Sequence, residues 1–215
     1  MAIFFTSDTH FGHAGALALY RRPFASVAAM DEGLVERWNE AVGPADEVWH
    51  LGDFAIRQSA ERVADLLARL HGRKHLVAGN NDPPATLGLA GWSSVQPYAE
   101  LMIDERRLVL CHYAFRTWRD MSRGAVNLHG HSHGRLKPLP RQIDVGVDAW
   151  DFRPQTLSAL LARRAPAPTA LTEPAADDGG KPSDQPLNLH SSSFGSALSM
   201  AARKGTQRGG GCFCQ

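Results

Sequence analysis

Ala2-Ile3-Phe4-Phe5-Thr6-Ser7-Asp8-Thr9-His10 decides how the rest of the chain is read. The mostly apolar run from Ala2 to Ser7 reads as a buried strand, and Asp8 and His10 as what that strand delivers at its C-terminal end. On an extended backbone, side chains two places apart project to one side. A carboxylate and an imidazole so placed can chelate one metal ion.

The same arrangement recurs outward along the chain. Glu47-Val48-Trp49-His50-Leu51 leads to Gly52-Asp53, and His75-Leu76-Val77-Ala78 leads to Gly79-Asn80-Asn81-Asp82. Leu108 to Cys111 ends at His112, and Ala125 to Leu128 runs on to Gly130-His131-Ser132-His133-Gly134. Between the early runs lie helical signals. Met30, Leu34 and Trp38 repeat at i, i+4, i+8, and Ser59 is the expected N-cap of a helix burying Val63, Leu66, Leu67 and Leu70, with Gly72 just beyond it. Strands alternating with helices, then mostly strands, point to an α/β sheet core completed by hairpins. In such folds, sites form beyond the carboxyl ends of strands, where these polar clusters fall.

Composition sets the bounds. The chain has 215 residues, 43% of them hydrophobic, enough for one sizeable core. Lys+Arg at 23 against Asp+Glu at 22 leaves a net charge of +1, so no overall field grips a nucleic-acid backbone. Nucleic acid is therefore not indicated as a partner. Cys111 sits in an apolar run and reads as a buried thiol, while Cys212 and Cys214 lie in a Gly-rich end. Three cysteines so placed imply no disulfide framework. No basic leader precedes the first run, and no run reaches the roughly 18 apolar residues that cross a bilayer. The expected location is cytoplasmic. From about Ala165 the character changes to Pro166, Pro168, Pro174, Pro182 and Pro186 in an Ala/Asp/Gly/Ser background. Residues 1–164 are the expected folded domain, and 165–215 a low-complexity tail with too little apolar surface to order itself.

Each cluster alone also has a structural reading. Gly-Asp is a common turn, Gly-Asn-Asn-Asp a common loop, and a single histidine after a strand is commonly a packed one. His50 reads as packed, and His129 as lying on the strand face opposite the His131/His133 pair. Their order is more specific than any member. Asp-x-His, Gly-Asp, Gly-Asn-x-Asp, His and Gly-His-x-His, over residues 1 to 160, resemble the calcineurin-like metallophosphoesterase superfamily. Ser7-Asp8-Thr9-His10-Phe11-Gly12-His13 with Arg22-Pro23-Phe24 resembles a small bacterial and phage subgroup of it.

The resemblance implies a four-layer αββα sandwich with a two-metal site at the strand ends. Carried over, Asp8, His10 and His133 bind one metal, Asn80, His112 and His131 the second, and Asp53 bridges both. Two such cations supply hydroxide at neutral pH and offset phosphate charge. The mixed O/N ligand set suits Mn²⁺, Fe²⁺/Fe³⁺, Zn²⁺ or Ni²⁺ without choosing among them. The implied activity is hydrolysis of a phosphoester. A small phosphodiester is expected, since no cluster of Arg or Lys stands ready to neutralise a dianion. A phosphomonoesterase or protein phosphatase of the same fold is the alternative. From other classes come a non-catalytic interaction module of this fold, against which the intact ligands argue, and an anchor read from Cys212-Phe213-Cys214-Gln215.

One position departs from the family pattern. Where many members carry a His after the metal-binding Asn, this chain has Asn81, which can hydrogen-bond a phosphoryl oxygen but cannot act as a general acid. His13 is the candidate to contact phosphate or donate that proton, with a solvent-facing helix-start residue as its other reading. Arg57 is a candidate phosphate contact or a surface arginine. Tyr113, Phe115, Arg116 and Trp118 either wall the pocket or pack on the core.

Overall fold

The structure, a computed structural model, describes residues 1–162. The tail from Ala165 and the Cys212-Phe213-Cys214-Gln215 end lie outside the described residues.

The chain begins β1 (Ile3–Thr6), α1 (Ala14–Leu19), α2 (Val27–Ala41), β2 (Glu47–His50), α3 (Ala60–Arg69), β3 (Arg73–Val77), α4 (Pro84–Leu87) and β4 (Ser94–Gln96). It continues β5 (Ala99–Ile103), β6 (Arg106–Leu110), β7 (Val126–His129), β8 (Gln142–Asp144), β9 (Gln155–Thr156) and α5 (Leu157–Ala162). The first sheet has the order β4-β3-β2-β1-β9, parallel except for β9; the second has the order β5-β6-β7-β8.

Alternation along the first-sheet strands explains why they read as continuous apolar runs. Phe4, Val48 and Leu76 face the helices, joining Met30, Leu34 and Trp38 of α2 and Val63, Leu66 and Leu67 of α3. Their neighbours Phe5, Trp49 and Val77 face the second sheet and meet Leu108, Leu110, Val126 and Leu128, with Leu157 and Leu160 of α5. Both faces are buried, as parallel sheets require. The helices start where the sequence places them: Ser26 accepts from Ala29 N at 3.1 Å, and Ser59 from Arg62 N at 3.2 Å.

Among the described residues, a single short segment covers the outer face of the second sheet. Trp118 packs on Val109 and Ala125, with Phe115 and Met121 beside it, in a segment whose regular structure is one 3-10 turn at Met121–Arg123. Phe115 and Trp118 are thus packing residues, not pocket walls.

Hairpins complete the sheet less than expected. Among the described residues only β5 and β6 form one, across Asp104 and Glu105, both at positive φ (49° and 61°) as a primed two-residue turn demands. β6, β7 and β8 are mutually parallel. Parallel strands need crossovers, and their reward here is directional: every strand preceding a polar cluster points its carboxyl end the same way.

Candidate metal centre

Beyond β1 and β2 the two loops run on side by side. Asp8 N donates to Gly52 O (3.0 Å), His10 N to Asp53 O (3.1 Å) and Phe11 N to Phe54 O (2.9 Å). The extended pleat expected at Asp8 and His10 is not what brings them together. β1 ends at Thr6, and both residues adopt left-handed φ, 57° and 52°. Asp53 (58°), His131 (65°) and His133 (49°) do the same. Asp and His tolerate this region better than most residues, at about 1–3 kcal/mol each, and the hydrogen-bonded loops must hold them there. A pleat would send both side chains off one strand face; alternating left-handed residues curl the chain so that its side chains converge.

Glycine makes the approach of the neighbouring loops possible. A Cβ on Gly79 would lie 2.3 Å from Asp53 Oδ1, and one on Gly130 would lie 1.9 Å from Ser7 Oγ and 2.5 Å from Asp8 Oδ2. Gly130 therefore makes room for the Asp8 loop rather than for an ion. Asp82 fastens the other seam: its buried carboxylate accepts from Asp53 N (2.8 Å), Phe54 N (2.9 Å) and Gly79 N (2.8 Å). Burial raises its pKa against those three donors.

Two groups of ligand atoms result. Asp8, His10 and His133 form one, and Asp53, His112 and His131 the other, each group lying within 4.8 Å. The two histidines of His131-Ser132-His133 fall in different groups. Asp53 faces both, with Oδ2 3.6 Å from His10 Nε2 and Oδ1 3.6 Å from His112 Nε2. Asn80 Oδ1 lies 3.0 Å from His112 Nε2, and Tyr113 OH is 3.3 Å from that same oxygen. His131 N donates to Asp8 Oδ2 (2.9 Å), tying one group to the other.

These residues fit cations. His112 Nδ1 faces Leu51 O at 2.7 Å, and a carbonyl only accepts, so Nδ1 carries the proton. The bare Nε2 lone pair then points among the Asp53 and Asn80 oxygens, acceptors facing acceptors. His133 repeats the pattern, with Nδ1 on Asp148 Oδ2 (2.7 Å) and Nε2 3.7 Å from Asp8 Oδ1. Both ring nitrogens of His10 are buried without a hydrogen-bond partner among the described residues. A positive ion resolves each of these juxtapositions. Burial opposes ionisation of Asp8, yet His10, His133, Ser7 and His112 together bring its pKa down to about 2, so it is an anion ready to ligate.

The remaining candidates divide. His10, His13, Tyr20, Ile56, Arg57, Asn81 and Pro83 line a cleft of ≈ 450 Å³. His13 is half-buried with its ring stacked on His10 at 5.3 Å, so it does not simply face solvent. Burial, then His10, Arg22 and Arg57, push its pKa down. Asn81 is turned to Asp53, its N donating to Oδ1 (2.8 Å) and its Nδ2 to Oδ2 (2.7 Å). His50 is fully buried, with Nε2 3.0 Å from Thr9 Oγ1, and His129 is buried with Nδ1 2.9 Å from Gly130 O. Sequence reasoning missed Asp148 and Asp144. Asp144 accepts from Ser132 Oγ (2.6 Å), Gly134 N (2.7 Å) and Gly146 N (2.7 Å), shaping the histidine loop. Neither stands in a motif, and only the return of the chain after β8 brings them here.

Comparison with known proteins matches this fold and constellation. A model of the calcineurin-like phosphoesterase superfamily domain matches residues 1–142. The chain belongs to that superfamily, and it is a metal-dependent phosphoesterase. It is 32% identical over 180 residues to the gene 66 protein of Mycobacterium phage D29, covering 69% of this chain and 88% of that one. An uncharacterized protein of Methanocaldococcus jannaschii is 26% identical over 167 residues, covering 74% and 89%. The crystal structure of a protein of unknown function from Aquifex aeolicus shares the fold with a TM-score of 0.59, at 21% identity, covering 71% of this chain and 94% of that one. Among the described residues, no helix is long and apolar enough to cross a membrane.

Proposed function

We propose that the chain hydrolyses a small phosphodiester at a centre of two divalent metals. Asp8, His10 and His133 hold one, Asn80, His112 and His131 the other, and Asp53 bridges them. The observation that carries this reading is the placement of the Asp53 oxygens, each 3.6 Å from a histidine of a different ligand group. When bound, the pair supplies a water-derived nucleophile and draws charge from the phosphate oxygens. Manganese, iron, zinc or nickel all suit the donors, and manganese is our choice for loading.

The protein's own groups set orientation. Asn81 holds both oxygens of Asp53 so that neither can rotate away from its site. His13 and Arg57 line the open side of the cleft, where they can donate to non-bridging phosphate oxygens. Among the described residues, Arg57 is the one permanent cation lining that cleft, which suits the single charge of a diester better than the double charge of a monoester. Tyr113, 47% exposed with its OH 3.3 Å from Asn80 Oδ1, is a further hydroxyl beside the second ligand group. No partner beyond such a substrate is part of this reading. A cytoplasmic setting accords with the free, buried Cys111.

The test loads the full chain with Mn²⁺, measures metal content by elemental analysis and assays bis-p-nitrophenyl phosphate against p-nitrophenyl phosphate. Wild type should carry two ions and prefer the diester, and Asp53→Asn should lose metal and activity together while staying folded. Wild-type protein that carries no metal and hydrolyses neither ester would end the proposal.

A further inference from the structure

We infer that the Tyr20 hydroxyl contacts substrate, donating a hydrogen bond to a non-bridging phosphoryl oxygen at the Asp8 end of the site. The inference rests on the two-metal reading above.

Tyr20 closes α1 as its C-cap, with its N donating to Ala16 O at 3.1 Å. Its ring leans on both histidines of the first ligand group. It stacks on His133 at 3.5 Å between centroids and 11° between planes, and it meets His10 at 5.6 Å and 50°. Two guanidiniums lie over the same ring, Arg135 at 5.3 Å from its centroid and Arg22 at 5.5 Å. Both are tethered. Arg135 Nη2 donates to Leu19 O, and Arg22 Nε and Nη2 reach the two oxygens of Asp148 at 2.8 and 2.9 Å. A ring so covered offers no platform on which a base or other flat substituent could stack. What it presents to the cleft is its hydroxyl edge.

That hydroxyl is unengaged. A phenol withdrawn from water ordinarily finds a partner for its O–H. Tyr20 is half-buried and lines the cleft with His13, Arg57 and Asn81, yet among the described residues its hydroxyl makes no hydrogen bond. Other neutral donors near the ligands are committed. Asn81 Nδ2 donates to Asp53 Oδ2 at 2.7 Å, and Tyr113 OH lies 3.3 Å from Asn80 Oδ1. A stack on His133 needs only a ring, so a phenylalanine would serve if packing were the whole role. The oxygen is left for what enters the cleft.

The chemistry of that donor suits a diester. A phenol O–H can meet an anionic oxygen without adding a second fixed positive charge to that of Arg57. Contact with His10 and His133 puts it beside the Asp8 group rather than beside Asn80.

Tyr20→Phe in the full chain tests this, because it keeps the ring and removes the oxygen. The hydroxyl has no partner in the fold to lose, so the variant should melt at the wild-type temperature and carry two manganese ions by elemental analysis. Its kcat/KM for bis-p-nitrophenyl phosphate should fall about 10-fold or more, as loss of a hydrogen bond to a charged group typically causes. Calorimetry should show inorganic phosphate binding the manganese-loaded variant more weakly by a similar factor. A wild-type kcat/KM, or slower hydrolysis with phosphate binding unchanged, would overturn the inference while the two-metal reading stands. So would loss of one manganese ion, which would make Tyr20 a ligand, or a marked fall in melting temperature, which would assign the hydroxyl to the fold. Wild type that carries no metal and hydrolyses neither ester would remove both.

Discussion

His13 carries the question that the residue at position 81 raises. Asn81 cannot protonate a leaving oxygen, and its amide is committed to Asp53. His13 lines the cleft, but burial and the neighbouring His10, Arg22 and Arg57 all disfavour the imidazolium that a general acid needs. A hydrogen-bond contact to the phosphate is therefore the expected role. His13→Ala should slow alkyl and nitrophenyl diesters alike, by about 10-fold or more, the usual worth of a hydrogen bond to a charged group. A loss confined to alkyl esters, whose basic leaving groups need a proton most, would make His13 the acid instead. The positive φ values at Asp8, His10, Asp53, His131 and His133 belong to this scale too. Sequence singled out all five side chains, but the means by which they converge was not legible. Backbone φ at a strand end depends on the loop alongside, and no local pattern records it.

Among the elements, the loops that follow the strands carry more of the site than the strands do. Asp82 ends the Gly-Asn-Asn-Asp loop as a buried acceptor for three N–H groups, two of them on the loop after β2. Asp82→Ala would leave all three unmet in the interior, at roughly 1–3 kcal/mol each. Urea denaturation should show a loss of about 3 kcal/mol or more, with metal content falling as the Asp53 loop loosens. Ser59→Ala is the contrasting case, since it removes one N-cap bond from α3, far from the ligands. Its expected cost is about 1 kcal/mol, with metal content unchanged. If Asp82→Ala costs no more than Ser59→Ala, the clamp account is wrong. The start of α3 was readable because a cap is a local event. The clamp was not, because two of its three donors stand 28 and 29 residues from the carboxylate in sequence.

For the whole molecule, the pH dependence of folding reports on the interior behind the site. His50 is fully buried, and its pKa is pushed down to about 3, first by burial, with Asp8 opposing and His112 and His10 adding to the shift. Thr9 Oγ1 gives its proton to Phe54 O at 2.8 Å, so His50 Nε2 must be the donor to Thr9, and the ring is neutral. An unfolded chain takes up a proton at this residue below about pH 6.5, while the folded one does not until about pH 3. Its contribution to stability is therefore complete above pH 6.5 and is lost as pH falls through that window, at about 1.4 kcal/mol per pH unit. His50→Gln keeps a donor for Thr9 and has no proton to gain. Denaturation of metal-free protein between pH 4 and 6 should show a slope shallower than wild type by one proton, and equal slopes would contradict a neutral, buried His50. By itself the sequence determined the three central strands of the first sheet, the two main helices and the order of the ligand clusters, because these follow from short-range periodicity and side-chain chemistry. The tertiary structure alone decided that β6, β7 and β8 run parallel, that Asp8 and His10 converge through left-handed backbone, and that Arg22 reaches Asp148 beside His133. Each of those depends on where distant loops meet after the sheets have packed, which is a property of chain closure rather than of any local stretch.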